Sequence, residues 1–397
     1  MTWRPRVWLL AIAVLMAATE GGAQATAWQA IPVAQQPSAT LTLPTSLSDE
    51  EFWQLSTSLS EAGGFFRSEN LVSNEHTYQY VIPSLRTMVK SGGGAYLGVA
   101  PDQNFTFMAA IRPRIAFILD IRRGNLLQHL MYKALFELSA DRAEFVSRLF
   151  SKPRPTGLRT TSSVLELFSA YARVGSSEAL YSANLTAIKT HLTKRRGIPL
   201  SAEDLLQLES IYQAFFWDGP NLRYTTAPIG QNGFRGGGGG MGGARFPSYE
   251  ELIVQTDYDG VPRSYLASED NFRFIKGLEE KNLIIPVMGN FAGAKALRSI
   301  GRYLRERRTP VVAYYVSNVE QYLFQDRLFE DFAKNVSTLP VTAESTFIRS
   351  VSNRFGYPGD MTWSDGRATA LYPIAQFVRD FQLGLLTSYF DVNSRSK

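Results

Sequence analysis

Two unbroken apolar runs with a short turn-and-helix segment between them constrain this chain more than any other feature. Tyr96-Leu97-Gly98-Val99-Ala100 and Ile115-Ala116-Phe117-Ile118-Leu119 show no polar alternation, as strands covered on both faces do. Between them Pro101-Asp102-Gln103-Asn104 turns the chain, with Asp102 placed to cap a helix that stops before Pro113. Gly124-Asn125 then opens a helix whose Leu126, Leu127, Leu130, Met131, Ala134, Leu135 and Leu138 share one face. The stretch Ala95–Leu138 therefore predicts a parallel βαβ unit followed by a further helix. Sheets of that kind hold ligands at the carboxyl ends of their strands.

The same alternation returns late in the chain. Leu252-Ile253-Val254-Gln255-Thr256, Leu283 to Met288, Val311 to Val316 and Thr346 to Val351 read as strands, with helices after Ser268, from Ala294 and from Gln321 to Val336. Pro286 lacks a ladder donor and is anomalous for a central strand. Between the two halves lie three helical segments. Leu165, Phe168 and Ala172 mark the first, and Tyr181, Leu185, Ile188 and Leu192 the second, which stops at Gly197. Ser201 and Asp204 start the third with a capping box. These helices are a lid over the site or plain packing. The expected fold class is α/β, a doubly wound, mostly parallel sheet with a helical insertion. Its divisions are a signal peptide at 1–25, an arm at 26–46, a first half at 47–139, the insertion with its glycine-rich loop at 140–250, and a second half at 251–397.

Composition closes several routes. A net charge of +5 over 397 residues forms no basic block, so nucleic acid is not an expected partner. Cysteine is absent, which removes disulfides, thiolate metal sites and cysteine nucleophiles. The three histidines, His76, His129 and His191, fall in separate segments, and no metal is expected. Arg4 and Arg6 precede an apolar run from Val7 to Ala18 and the small-residue site Ala23-Gln24-Ala25, the pattern of a cleavable export signal. The run is too short for a comfortable permanent span, so the expectation is a periplasmic or secreted mature chain with no stable membrane span.

Candidate ligands can be weighed against local patterns. Gly289-Asn290-Phe291-Ala292-Gly293-Ala294-Lys295-Ala296 lacks the spacing and hydroxyl of a nucleoside-triphosphate loop, although amides at a helix start can hold an anion. The glycines of Arg235–Arg245 have no strand before them and no helix after, and read as a connection. No G-x-S-x-G elbow occurs. Glu69 and Glu75, in Ser68-Glu69-Asn70-Leu71-Val72-Ser73-Asn74-Glu75, are either an acid/base pair, part of a substrate rim, or carboxylates of a solvated loop.

The run from Tyr96 to Asn104, followed by Asp120 at the end of the next strand, resembles the cofactor half of the Rossmann-like S-adenosylmethionine-dependent methyltransferases. With Ser68 to Glu75 it also looks like an uncharacterised exported bacterial family of methyltransferase-like proteins. The resemblance implies S-adenosylmethionine or a related nucleoside held by Gly98, Asp102 and Asp120, with Asp120 on the ribose hydroxyls. Asn318 and Glu320, after a later strand, would face the substrate, and Glu69 or Glu75 would act as base. Two other readings stay open. Asp120 can instead pair with Arg122, Arg123 or Arg114. The chain can also be a non-catalytic exported binding or scaffold protein that uses the same crevice for a small anionic or polar ligand, through Arg122, Arg123 and Lys295.

Overall fold

Ser48 accepts from the Glu51 N–H while Glu51 reaches back to the Ser48 N–H, and this reciprocal cap opens helix α1 (Asp49–Leu59). Helix α2 (Ile82–Met88) leads into strand β1 (Ala95–Gly98), α3 (Gln103–Ile111), β2 (Ile115–Asp120) and α4 (Arg123–Leu138). This matches the order expected from the two apolar runs, and every residue of both strands is buried. The insertion contributes α5 (Arg142–Phe150), α6 (Val164–Ala172), α7 (Glu178–Thr190) and α8 (Ala202–Asp218). A π-helical turn at His191–Arg195 ends α7, and Gly197 takes the left-handed φ of 63° that the reversal needs. Then come α9 (Tyr249–Val254), α10 (Glu269–Glu280), β3 (Ile284–Met288), α11 (Ala296–Glu306), β4 (Val311–Ser317), α12 (Val319–Gln325) and α13 (Phe329–Val336). Strands β5 (Val341–Ser352) and β6 (Arg367–Pro373) and helices α14 (Ile374–Gln382) and α15 (Tyr389–Arg395) complete the chain. This computed structural model describes residues 41–66, 68–90, 92–224, 246–353 and 366–397. The expected signal peptide, most of the arm and the glycine-rich run lie outside the described residues.

The six strands form one mixed sheet in the order β3-β2-β1-β4-β5-β6. All neighbours are parallel except β5 and β6, which pair antiparallel from Thr346↔Pro373 to Ser352↔Arg367. Growth runs outward from β1 to β3 and then crosses to β4 on the other side of β1. The carboxyl ends of β1, β2, β3 and β4 consequently share one edge of the sheet, with the switch between β1 and β4. Pro286 is accounted for by position: β3 is an edge strand, and Ser56 of α1 donates to the Pro286 carbonyl at 2.5 Å.

Three expectations are corrected. The run at 252–256 is not a strand. Its first residues belong to α9, which a Ser248–Glu251 capping box starts, and Leu252 and Ile253 are buried on that helix. The single helix expected at 321–336 is two, α12 and α13, with Arg327 between them at φ 59°. Leu165 is 62% exposed, because Val164, Leu167, Phe168 and Tyr171 supply the buried face of α6. The insertion packs α8 on α4, and Arg123 at the start of α4 binds Asp204 at the start of α8 through two bonds of 2.9 Å. No helix among the described residues is long and apolar enough to cross a membrane.

Candidate functional site

The shared carboxyl edge is where a ligand of such a sheet belongs, and its strand tips can be taken in turn. Beyond β1, Ala100 adopts φ 65°, and Ser317, the last residue of β4, adopts φ 52°. Both are left-handed conformations that a side chain disfavours, and they sit on either side of the switch. Gly98 leaves its face open, but Asn104 covers it. A Cβ on Gly98 would fall on Asn104 Oδ1. The Asn104 side chain is locked there. Tyr96 donates to its Oδ1 at 2.8 Å, and its Nδ2 donates to the carbonyls of Val99 at 2.8 Å and Pro101 at 2.6 Å. The turn is further steadied by His129, whose Nε2 lies 2.9 Å from the Ala100 carbonyl and whose basicity burial lowers to about 4.

Asp102 stands at the N-cap position of α3 but makes no side-chain cap bond, contrary to expectation. Its carboxyl is buried beside the Tyr265 hydroxyl, 3.4 Å away, and burial raises its pKa to about 7. A carboxyl raised in the folded state gives stability that is complete below its unfolded pKa of 3.8 and is lost as pH rises toward about 7. Asp102→Asn is therefore expected to gain stability relative to the unmodified chain between pH 5 and about 8. Urea titration at several pH values checks this; equal pH slopes for the two proteins would contradict it.

At the end of β2, Asp120 is fully engaged. Arg122 grips it through Nε at 2.9 Å and Nη2 at 2.7 Å, and the Arg122 N–H adds a third bond at 2.9 Å. Both side chains are 6% exposed. The rest of the guanidinium donates to the Ser68 and Glu69 carbonyls. Of the two readings of Asp120, the ion pair is the one present. Arg123 is held by Asp204, and Lys295 Nζ donates to the Ser60 carbonyl at 2.5 Å. The three cations expected to draw an anion are thus bound within the chain.

The loop after β3 follows the same rule. Glu61 accepts from the N–H groups of Asn290 and Lys295, each at 3.0 Å, and a Cβ on Gly293 would fall on its carboxylate. The amides at the start of α11 hold an internal carboxylate.

At the end of β4, Glu75 is buried and accepts from Tyr315 at 2.8 Å and Ser317 at 2.6 Å. Gln103 of α3 donates to the Tyr315 hydroxyl at 2.7 Å, closing the crevice between β1 and β4. Burial pushes the Glu75 carboxyl above the usual range, against the pull of the Ser317 and Tyr315 hydrogen bonds and of Arg367. Glu75 Oε2 and Gln103 Oε1 have no hydrogen-bond partner among the described residues. Asn318 is half-buried just beyond β4. Glu320 does not face a crevice: it is buried, and its two carboxylate oxygens accept from Arg349 of β5, Nε at 2.6 Å and Nη2 at 2.8 Å. Glu69 and Glu75 sit at different strand tips and form no pair.

Among the described residues a hollow lies open on this edge, beside the β2 tip. It has a volume of about 240 Å³ and lies between Gly64, Phe65, Phe66, Ser68 and Glu69, the start of α4 and Gln207 of α8. Gly124 makes room in it, since a Cβ there would come within 2.8 Å of Glu69 Oε2 and 3.0 Å of Gln207 Nε2. Gln207 brings the insertion to the site. Asn104, Gln103, Tyr315, Glu61 and Gln207 were not singled out from the sequence, because their partners come from distant segments or because they resemble ordinary turn residues. Among the described residues no group of acidic or histidine side chains is arranged to hold a metal ion.

A family model described as a domain of unknown function, DUF7790, matches residues 70–196 and 245–389. The matched segments contain all six strands, α4 and most of the insertion. No curated protein matches the chain.

Proposed function

We propose that this chain, which belongs to the DUF7790 family, is a small-ligand-binding protein on a Rossmann-like, doubly wound sheet whose nucleoside positions are filled by its own side chains. The observation that carries the reading is the closure of the switch point. Asn104 covers Gly98, Arg122 occupies both oxygens of Asp120, and Glu75 with Gln103 and Tyr315 fills the space between β1 and β4. S-adenosylmethionine does not fit the residues as arranged. Its ribose would compete with a bidentate guanidinium, and the glycine turn offers no free face. The ligand is assigned to the hollow beside the β2 tip, where Phe65 is 87% exposed. An exported location follows from the reading of the first 25 residues and belongs to the same proposal.

A methyltransferase-like reading keeps one favourable observation, the strand order β3-β2-β1-β4-β5-β6 with Asp120 at the β2 end. It requires Arg122 to release Asp120 and Asn104 to leave Gly98. A thermal-shift survey separates the two, since a ligand that binds only the native chain raises its apparent stability. S-adenosylmethionine and adenosine are expected to leave the melting temperature unchanged, while small non-nucleoside ligands raise it. Phe65→Ala, at an exposed position, is expected to abolish that rise without lowering the unliganded melting temperature. A rise with S-adenosylmethionine that survives Phe65→Ala would overturn the proposal.

A further inference from the structure

We infer that the chain has a second ligand site, for a small phosphomonoester, in a pocket at the far end of α3 from Asp102, where Arg86, Arg112 and Arg263 meet. This inference does not depend on the hollow beside the β2 tip.

Segments distant in sequence bring the three arginines together. The pocket has a volume of about 260 Å³ and lies between α2, the last turn of α3, the start of α10 and the loop at Pro262. Arg86 comes from α2, and Arg112 ends α3 in a left-handed turn with φ 50°. The Arg263 N–H donates to Gln79 Oε1 at 2.7 Å, which ties its loop to the segment before α2. The chain on both sides of each of these residues is described, and the nearest undescribed residue in sequence, Ser91, carries no charge.

The donors left over decide the class. Arg263 uses only its Nε, 2.7 Å from Asp257 Oδ2, and keeps both terminal nitrogens for another partner. Arg112 gives Nη2 alone to Asp270, while its guanidinium lies 4.7 Å from the centroid of the Phe274 ring. Arg86 is exposed and has no hydrogen bond or ion pair with a described residue. At the β2 tip, by contrast, Arg122 has Nε, Nη1 and Nη2 all engaged. Open guanidinium forks match the oxygens of a phosphate. A planar carboxylate is filled by one fork, whereas a tetrahedral phosphate presents three oxygens to three arginines.

The carboxylates nearby do not cancel this charge. Asp257 is buried outside the lining, and its Oδ1 accepts from the N–H groups of Asp259 and Val261. Asp270 is in the lining, but its side chain is 79% exposed, and an exposed pair of this kind holds by only about 1 kcal/mol or less. Among the described residues, three cations thus face one loosely held carboxylate. Ile82, Ala109 and Pro262 add an apolar wall, which suits an ester with an apolar body better than a bare ion. The volume is below the usual range for drug-sized ligands and has room for a phosphate with one ring.

The test titrates phenyl phosphate, inorganic phosphate and 3-phenylpropionate into the full chain by calorimetry. The titration is run at about pH 8, where a phosphomonoester carries two charges. Phenyl phosphate is expected to bind, inorganic phosphate to bind more weakly, and 3-phenylpropionate at least tenfold more weakly than phenyl phosphate. Arg86→Ala is expected to weaken phenyl phosphate at least tenfold, and Phe65→Ala to leave it unchanged. Circular dichroism confirms that both variants are folded. Inorganic phosphate binding as tightly as the ester overturns the ester, and 3-phenylpropionate binding as tightly overturns the phosphate class. Full affinity in Arg86→Ala, or loss of binding in Phe65→Ala, overturns the pocket as the site. No binding of phenyl phosphate overturns the whole inference and leaves the reading of the hollow untouched.

Discussion

Glu320→Ala is expected to lower the unfolding free energy by about 3–5 kcal/mol, among the largest single effects in this protein. The substitution strands Arg349, the largest fully buried side chain of the core, without its carboxylate. The guanidinium has little else to turn to. Its Nη1 reaches Ser396 at 3.4 Å, and its plane lies against Phe347, Tyr372 and Phe377 at 4.5, 4.6 and 5.3 Å from the ring centroids. Cation–π attraction of roughly 1–2 kcal/mol does not replace a lost bidentate pair. Replacing both partners, Glu320→Leu with Arg349→Met, is expected to recover most of the loss, because no uncompensated charge is then buried. Chemical denaturation of the two variants measures both numbers. A loss below about 1 kcal/mol in Glu320→Ala would mean that the pair is solvated and open to substrate, as the resemblance to methyltransferases implies.

Asp120→Ala is expected to cost a similar amount, about 3–5 kcal/mol, in the absence of any ligand. Here the two roles of Asp120 diverge sharply. A residue kept to hold ribose hydroxyls would be lost with little effect on the unliganded fold. A residue that neutralises Arg122 leaves a guanidinium 6% exposed whose remaining acceptors among the described residues are the Ser68 and Glu69 carbonyls. Those carbonyls belong to the segment that lines the hollow, so its geometry is expected to loosen as well. Thermal unfolding of Asp120→Ala without additives is the measurement. An unchanged melting temperature would return Asp120 to the ligand.

The central strands were legible in the sequence because parallel strands covered on both faces need no polar alternation, and so β1 and β2 stand out as unbroken runs. The same signal misled at 252–256. A short apolar run cannot distinguish strand from buried helix, and the deciding cue was the Ser248–Glu251 cap just before it. Strand β6 was missed because it is an antiparallel edge strand in which half-buried Arg367, Thr369 and Pro373 interrupt the buried residues, so no unbroken apolar run announces it. The site was less legible for a different reason. The bond between Asp120 and Arg122 spans two residues and could be anticipated as one of two readings. Glu61 meets the Asn290 amide 229 residues away, Gln103 meets Tyr315 212 residues away, and no local pattern announces either. Sequence spacing located the shared carboxyl edge of the strands; the side chains that close it, Glu61, Glu75, Gln103, Asn104, Arg122 and Tyr315, come from segments that only the fold brings together.

The most direct measurement is calorimetric titration of the unmodified chain with S-adenosylmethionine. No saturable heat is expected, because Asn104, Arg122 and Glu75 already occupy the places the cofactor would take. Saturable heat that disappears in Gly98→Val while the variant stays folded would contradict this and restore the switch point as a nucleoside site.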